Sequence, residues 1–453
     1  MTDSIKGLPF WEIRFDSDGD PDGALADTMV AEVPGSGITD LYVFAHGWNN
    51  DPGKARRLYD GFLALVADQL ATSPAAAGVR AGFAGVVWPS KRWSDEPIPD
   101  FTPAAATLAA GAATVAADAP AAVATSELDA RTLADLRETF PAAAGVLDRM
   151  AALLAGASTE ESTREFFACL KEFSALTEIK DENDEGDPEG SGSPRMLRAG
   201  DPAGLFETYR VRLEGLGVVV PGGSATASFA DKFRGALTGA KEALRQLTYW
   251  QMKSRAGVVG RRGLGPVLGR LHGAGPGLRV HLIGHSFGAR LVSYALAGLP
   301  EGLTPSPVKS VTLLQGAFSH FAFDPSVSFD PDRHGELAGM QARIDGPLTV
   351  CFSRHDAAVG TFYPLASIAS GEDLAGVDDP LYRWGGMGHD GAQNADARLD
   401  QVTGVGGSYR FSRTQILNVD ASAVVNRGGP PSGAHSDIVR PELAWVVLAA
   451  SRS

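Results

Sequence analysis

HLIGHSFGARLV (residues 281–292) is the stretch that decides the fold, because one serine in it joins two kinds of local structure. Apolar, β-rich residues lead up to Gly284, and helix-forming residues follow Gly288. Between them Ser286 lies on a sharp turn, where small neighbours avoid collisions with the adjacent strand and helix. Such a turn lifts the hydroxyl clear of the sheet and aims the helix N-terminus at developing negative charge. The pattern therefore predicts a nucleophilic Ser286.

Short apolar segments alternate with helical patterns through most of the chain. Several segments are apolar without alternation, which is typical of strands covered on both faces. A helix over 52–70 is predicted between two of them, with Asp51 as its N-cap and Pro52 in the first helical position. Strand, helix and strand repeated in this way predict an α/β fold with a doubly wound, mostly parallel sheet. The predicted strands are 11–16, 41–46, 83–88, 278–284, 310–316, 347–353 and 414–419.

One block of the sequence interrupts this alternation. Strand patterns are nearly absent from 98 to 244, where Ala-rich sequence and helical stretches follow one another. The acidic and then Gly/Ser/Pro-rich run near 180–200 has the composition of a flexible segment. We therefore expect a large helical insertion at 98–244, forming a cap or lid, within a single α/β core made of 1–97 and 245–453.

Composition narrows the classes of function. The chain has 453 residues and a net charge of -14, which argues against a nucleic-acid partner because phosphate binding needs a basic surface. Its two cysteines, Cys169 and Cys351, belong to no metal-binding pattern, and no cofactor is predicted. The N-terminal residues lack the pattern of a Sec signal, and Asp118 and Pro120 interrupt the Ala-rich stretch 103–125. We expect a cytoplasmic protein without a stable membrane span.

The G-x-S-x-G turn resembles the nucleophile elbow of the α/β-hydrolase superfamily, in particular of its serine esterases and lipases. HGWNN (46–50) followed by VVWPS (86–90) is also similar to the HGYNN and SWPS-like stretches of a group of bacterial hydrolases. The resemblance covers the α/β core. It implies an oxyanion hole formed by the backbone N–H groups of Trp48 and Phe287.

The same resemblance implies an acid after a later strand and a histidine near the C-terminus. Asp356 follows the strand 347–353 and His435 precedes a C-terminal helix, so these two residues are the expected acid and base. In that arrangement the neutral imidazole takes the serine proton, and the carboxylate orients the imidazole. Asp324, after the preceding strand, is the alternative acid. His389 is the alternative base, although it precedes the last predicted strand.

Aromatic residues cluster on the loops expected to rim the site. The candidate substrate-binding residues are Trp88, Phe318, Phe321 and Tyr363. A pocket lined by such side chains suits an apolar acyl or alkyl group, whereas the alternative for each residue is packing of its loop onto the core. The basic stretch 252–265 also has two interpretations, a site for an anionic group or a solvated helix end and turn.

These features together predict a serine hydrolase that cleaves carboxylic esters through an acyl-enzyme on Ser286. The expected partner is a small-molecule ester, and the expected chemistry needs neither a metal nor an organic cofactor. Peptidase, thioesterase or acyltransferase activity stays open, because one triad serves them all. A lipase or phospholipase that acts at lipid interfaces, and a non-catalytic binding or scaffold protein on the same fold, are further alternatives. The lipase alternative requires the insertion to expose an apolar face.

Overall fold

The computed structural model describes residues 3–90, 93, 123–157, 159–179, 184, 194–220, 229–362 and 385–453, and its centre is one nine-stranded sheet. The strands are β1 (Asp3–Ile5), β2 (Leu8–Arg14), β3 (Asp40–Ala45), β4 (Ala81–Val87), β5 (Arg279–His285), β6 (Val308–Leu314), β7 (Leu348–Phe352), β8 (Ala397–Gln401) and β9 (Ile416–Asp420). They lie in the order β1-β2-β4-β3-β5-β6-β7-β9-β8. β1 pairs antiparallel with β2, and every other neighbouring pair is parallel.

Helices cover the sheet. The α-helices of the described residues are α1 (Gly23–Gly35), α2 (Pro52–Thr72), α3 (Ala130–Thr139), α4 (Ala144–Ala155), α5 (Glu160–Leu176), α6 (Pro202–Gly215), α7 (Phe229–Val258), α8 (Gly265–Ala274), α9 (Phe287–Gly298), α10 (Met387–Asp390) and α11 (Pro441–Ser451). Short 3₁₀ turns lie at Pro74–Ala76, Pro141–Ala143, Arg195–Arg198 and Met340–Arg343, and π-helical turns lie at Val259–Leu264 and Ala358–Phe362. None of the described helices combines the length and the apolar character that crossing a bilayer requires.

The sheet is buried on both faces, as its apolar strands predict. In the central strand β3, Leu41 and Val43 pack into the core on one face, together with α1 and α9. Tyr42 and Phe44 pack into the core on the other face, together with α2 and α11. The prediction of an α/β fold with a mostly parallel sheet is therefore confirmed.

The start of α2 shows how local sequence sets an element. Asp51 accepts the backbone N–H of Lys54 at 2.8 Å, and Pro52 occupies the first turn, where no N–H is needed for the helix. One face of the helix is buried against the sheet. The helix predicted over 52–70 is present and ends two residues later.

All seven predicted strands are present, and two further strands, β1 and β8, were not predicted. β1 has only three residues. β8 has the sequence ARLDQ and is mostly exposed. Both lie at the edges of the sheet. An edge strand needs less apolar covering than a central one, so its sequence carries a weaker signal.

The described residues between β4 and β5 form helices joined by turns and irregular stretches, with one isolated bridge between Val123 and Val219. α7 runs without interruption across the boundary predicted at 244/245, and its C-terminal part contacts α9. A continuous helix thus connects this part of the chain to the core. Residues 98–122 of the predicted insertion, and much of the predicted flexible run 180–200, lie outside the described residues.

Candidate active site

Ser286 lies where β5 ends and α9 begins, at the carboxyl end of a central strand. Its φ of 57° and ψ of -123° are unusual for a residue with a side chain and store backbone strain at this turn. A Cβ on Gly288 would lie 2.0 Å from the carbonyl oxygen of Ala45, so only glycine fits there. The turn holds the Ser286 side chain at the N-terminus of α9, in the geometry that the G-x-S-x-G pattern predicts.

Ser286, His435 and Asp356 form a hydrogen-bonded row. Ser286 Oγ lies 2.8 Å from His435 Nε2, and His435 Nδ1 lies 2.8 Å from Asp356 Oδ2. Because a carboxylate accepts, Nδ1 carries the imidazole proton, and Nε2 is the nitrogen that accepts from the serine hydroxyl. Asp356 is fully buried, and its other oxygen accepts the N–H of Val359 at 2.9 Å. The structure thus brings together the residues expected as nucleophile, base and acid.

The alternative acid and base have other partners. Asp324 is also buried, but its carboxylate accepts the N–H of Ser326 at 3.1 Å. Burial raises the pKa of Asp324, which makes it a poorer partner for an imidazolium. His389 Nδ1 lies 3.2 Å from the backbone oxygen of Asp356 and so contacts the main chain of the expected acid. The geometry favours Asp356 over Asp324 and His435 over His389.

The backbone amides of Trp48 and Phe287 belong to the two loops that meet at the serine. Neither amide has a hydrogen-bond acceptor among the described residues. The loop 46–50 approaches so closely that a Cβ on Gly47 would lie 2.5 Å from Ser286 Cβ. Two N–H groups of this kind beside a serine hydroxyl are able to stabilise an oxyanion.

Two side chains of the loop 46–50 donate hydrogen bonds to backbone carbonyl groups of the same loop. His46 Nδ1 donates to the oxygen of Gly47 at 2.8 Å. Asn50 Nδ2 donates to the oxygens of Gly47 and Trp48, at 3.2 and 3.0 Å. Burial lowers the pKa of His46 to about 4, so its imidazole is neutral at pH 7. These bonds fix the peptide planes of the loop, and with them the direction of the Trp48 N–H.

His285 is a residue of the candidate site that the sequence patterns did not single out. Its Nε2 lies 2.9 Å from the backbone oxygen of His435, and because a carbonyl only accepts, Nε2 carries the proton. Burial, with the nearby His435 ring, lowers the pKa of His285 to about 3 and keeps it neutral. The residue before the nucleophile therefore holds the main chain of the base. The sequence shows that His285 precedes Ser286, but its hydrogen-bond partner, the backbone oxygen of His435, is 150 residues away along the chain.

A cavity of about 60 Å³ opens beside Ser286. The predicted aromatic residues Trp88, Phe318 and Phe321 are not among the described residues that line it, and their assignment to substrate binding stays a prediction. Trp88 stacks on His46 with ring centroids 5.7 Å apart, and both phenylalanines are fully buried. Their loops fold back onto the core, so these rings stabilise the loops. Tyr363 lies outside the described residues.

α7 supplies one wall of the cavity, through Glu242, Arg245, Gln246 and Tyr249. Their spacing places them on one face of a helix, and that spacing is the signal that could have identified them. Glu242 accepts from Gln246 Nε2 at 2.8 Å and lies 3.6 Å from Arg245 Nε. The ring of Tyr249 contacts those of Trp48 and Phe287, with centroids 5.4 and 4.7 Å apart. This wall therefore adjoins Trp48 and Phe287, the two residues predicted to supply the oxyanion hole.

The site contains a hydroxyl group and an imidazole within hydrogen-bonding distance of it, and the two loops that meet there carry two N–H groups without an acceptor among the described residues. This set is suited to addition of the hydroxyl to a carbonyl carbon. In the part of the chain that the structure describes, no group of three His, Cys, Asp or Glu side chains is placed to hold a metal ion. Comparison with family models, curated proteins and solved structures found no match to the chain.

Proposed function

We propose that the protein is a serine hydrolase that cleaves carboxylic esters, with a fold of the α/β-hydrolase type. The observation that carries this proposal is the row of two 2.8 Å hydrogen bonds from Ser286 through His435 to Asp356. The positive φ of Ser286 supports it, because that strained geometry is typical of a nucleophile elbow. The amides of Trp48 and Phe287 support it as donors to the carbonyl oxygen.

The proposed reaction begins when Ser286 Oγ attacks the ester carbonyl carbon and its proton passes to His435 Nε2. Asp356 stabilises the imidazolium, while the two amides donate to the carbonyl oxygen as it gains negative charge. The bond to the alcohol oxygen then breaks, and His435 gives its proton to that oxygen, which leaves an acyl-enzyme. Water gives a proton to His435 and attacks the acyl carbon, and the acid leaves as the Ser286 hydroxyl is restored.

We further propose that the helical segment between β4 and β5 acts as a cap. α7 supports this role, because it lines the cavity beside Ser286. A cap that limits access of bulk water to the reacting groups strengthens the hydrogen bonds of the site. The cap is tied to the core through α7, which continues into the π-helical turn Val259–Leu264 beside α9.

Labelling by a fluorescent, serine-reactive phosphonate tests the proposal. We expect wild type to be labelled and Ser286→Ala to remain unlabelled. Ser293→Ala is the matched control and should be labelled like wild type, since Ser293 lies on the same helix with its hydroxyl donating to the Ala289 carbonyl. Labelling that persists in Ser286→Ala places the nucleophile elsewhere. A wild type that is neither labelled nor active on p-nitrophenyl esters favours the binding or scaffold alternative.

A further inference from the structure

The proposed base, His435, lies on a turn and not on a helix or a strand. It belongs to the stretch 421–440, which connects β9 to α11. Its own N–H lies 3.4 Å from the backbone oxygen of Ser432, which is long for a hydrogen bond. A base on such a turn needs contacts with other elements to keep its Nε2 at a fixed distance from Ser286 Oγ.

The loop of the proposed acid supplies one set of contacts to this turn. The Ala434 N–H donates to the backbone oxygen of His355 at 2.8 Å. Gly433 forms an isolated antiparallel bridge with Asp356. Both contacts join the main chain beside the base to the main chain of the acid. They therefore fix the base relative to the acid, whereas the distance to the nucleophile depends on further contacts.

His285 supplies a link between the base and the nucleophile. It is the last residue of β5, directly before Ser286, and its Nε2 donates to the backbone oxygen of His435 at 2.9 Å. The side chain is buried, and burial, together with the nearby His435 ring, lowers the pKa of His285 to about 3. The ring is therefore neutral at the pH of an assay, and its single N–H stays on the carbonyl oxygen while His435 takes up and releases a proton.

The two ends of this link are held in place. The Ser286 N–H donates to the backbone oxygen of Leu314 on the neighbouring strand β6 at 3.1 Å. A Cβ on Gly47 would lie 3.2 Å from His285 Nδ1, so the loop 46–50 packs closely on the ring. The ring centroids of His285 and His435 are 5.0 Å apart. One peptide unit and one hydrogen bond thus connect the nucleophile to the main chain of the base.

We propose that His285 is a positioning residue, whose hydrogen bond to the main chain of His435 keeps the imidazole at the distance from Ser286 that proton transfer needs. This inference rests on the proposed function. His435 takes a proton from Ser286 when the acyl-enzyme forms and from water when it is hydrolysed, so a displaced base slows both steps. Ester binding involves no proton transfer. Loss of the link should therefore lower kcat and leave KM nearly unchanged.

Variants with and without a donor in the place of Nε2 test the proposal. His285→Phe keeps a ring, His285→Leu has a branched aliphatic side chain, and both lack the donor. We expect each to lower kcat on p-nitrophenyl acetate by about 10- to 100-fold, with KM within about twofold of wild type. His285→Gln is the conservative variant, because its amide nitrogen reaches about the position of Nε2, and it should recover most of the lost kcat.

His281→Phe is the matched control. His281 is a fully buried histidine nearer the amino end of the same strand, where its ring contacts Ser310 and Asp40. We expect folded His281→Phe to keep the wild-type kcat even if its stability falls. Long-range ¹H–¹⁵N NMR of the wild-type histidine rings is a second measurement that needs no folded donor-free variant. It should show His285 as a neutral ring with its proton on Nε2.

The outcomes separate this inference from the proposed function. Folded His285→Phe or His285→Leu with the wild-type kcat overturns the positioning role, and so does a change in KM alone. A His285→Gln variant as slow as His285→Phe also overturns it, because the donor then makes no difference. If neither donor-free variant folds, a wild-type ring with its proton on Nδ1 overturns it, because such a ring cannot donate from Nε2. Wild type that the phosphonate does not label overturns the proposed function itself.

Discussion

Two groups of serine, histidine and aspartate side chains lie among the described residues. The group of Ser286 lies at the carboxyl ends of the central strands, and the second group lies at or near their amino ends. In the second group His281 Nδ1 lies 2.9 Å from Ser310 Oγ, and His281 Nε2 lies 3.0 Å from Asp40 Oδ1. All three residues are almost completely buried, and Asp40 is the first residue of β3. Ser286 differs by its strained turn, its place at a helix N-terminus and its cavity. Residue type and contact alone therefore do not distinguish the proposed nucleophile from a buried structural serine.

Replacing the expected acid, Asp356, tests its role in the hydrogen-bonded row with His435 and Ser286. We expect Asp356→Asn to lower kcat on a p-nitrophenyl ester by about 10⁴-fold, because the amide favours the wrong imidazole tautomer and cannot stabilise the imidazolium. Asp324→Asn is the matched control and should keep kcat close to wild type. A larger loss in Asp324→Asn than in Asp356→Asn would assign the acid to Asp324. Steady-state kinetics with both purified variants provides the measurement.

At the scale of elements, one acidic residue of the segment between β4 and β5 contacts both α7 and α9. Asp184 contacts Lys253 Nζ on α7 at 2.8 Å and Arg290 on α9 at 2.7 Å, and the Tyr294 hydroxyl donates to it at 2.8 Å. Burial acts to raise the pKa of Asp184, but the charges of Arg290 and Lys253 hold it well below its usual value. Lys253 belongs to the basic stretch 252–265, for which a solvated helix end was one interpretation, and it is fully buried.

Breaking this buried network should lower the free energy of unfolding much more than breaking an ion pair at the surface. We expect Asp184→Asn to lower the free energy of unfolding by about 3–5 kcal/mol, because Lys253 and Arg290 lose the carboxylate that neutralises them. Glu336→Gln removes a partially exposed ion pair with Arg261 and should cost no more than about 1 kcal/mol. Urea unfolding curves measure both. Equal, small losses would mean that Asp184 contributes little to stability.

At the scale of the whole molecule, buried neutral histidines make stability depend on pH. Burial lowers the pKa of His46 to about 4 and that of His285 to about 3, below the usual value of 6.5. Between these values the unfolded chain binds protons that the folded chain does not, so stability falls as the pH drops below about 6.5. From pH 7 to pH 5 we expect a loss of about 2 kcal/mol for each histidine.

Urea unfolding at pH 7 and pH 5 checks this expectation. His46→Asn keeps a donor for the Gly47 carbonyl and removes one titrating group, so we expect it to lose less stability than wild type between the two pH values. His355→Gln alters an exposed histidine and should keep the wild-type loss. A wild type that is equally stable at both pH values contradicts the neutral, buried state of these rings.

Short-range patterns were enough to predict the α/β class, seven of the nine strands and α2. Apolar runs, an Asp–Pro cap and glycines around one serine act through neighbouring residues, so their effects are readable along the chain. The expectation that His435 and Asp356 join Ser286 came from the order of parts in a resembling family. The contacts that bring these three residues together form between separate elements.

Contacts between segments that are distant along the chain determine which residues are buried and paired, and local sequence patterns do not predict these contacts. Trp88 and Phe318 are aromatic residues on loops whether they face a cavity or a core, and only the packing of those loops assigns them to the core. Asp184 lies in an acidic run whose composition predicts a flexible segment, yet Asp184 itself is buried against Arg290, 106 residues away. Burial and pairing depend on which surfaces meet in space, and sequence spacing does not encode that over such separations.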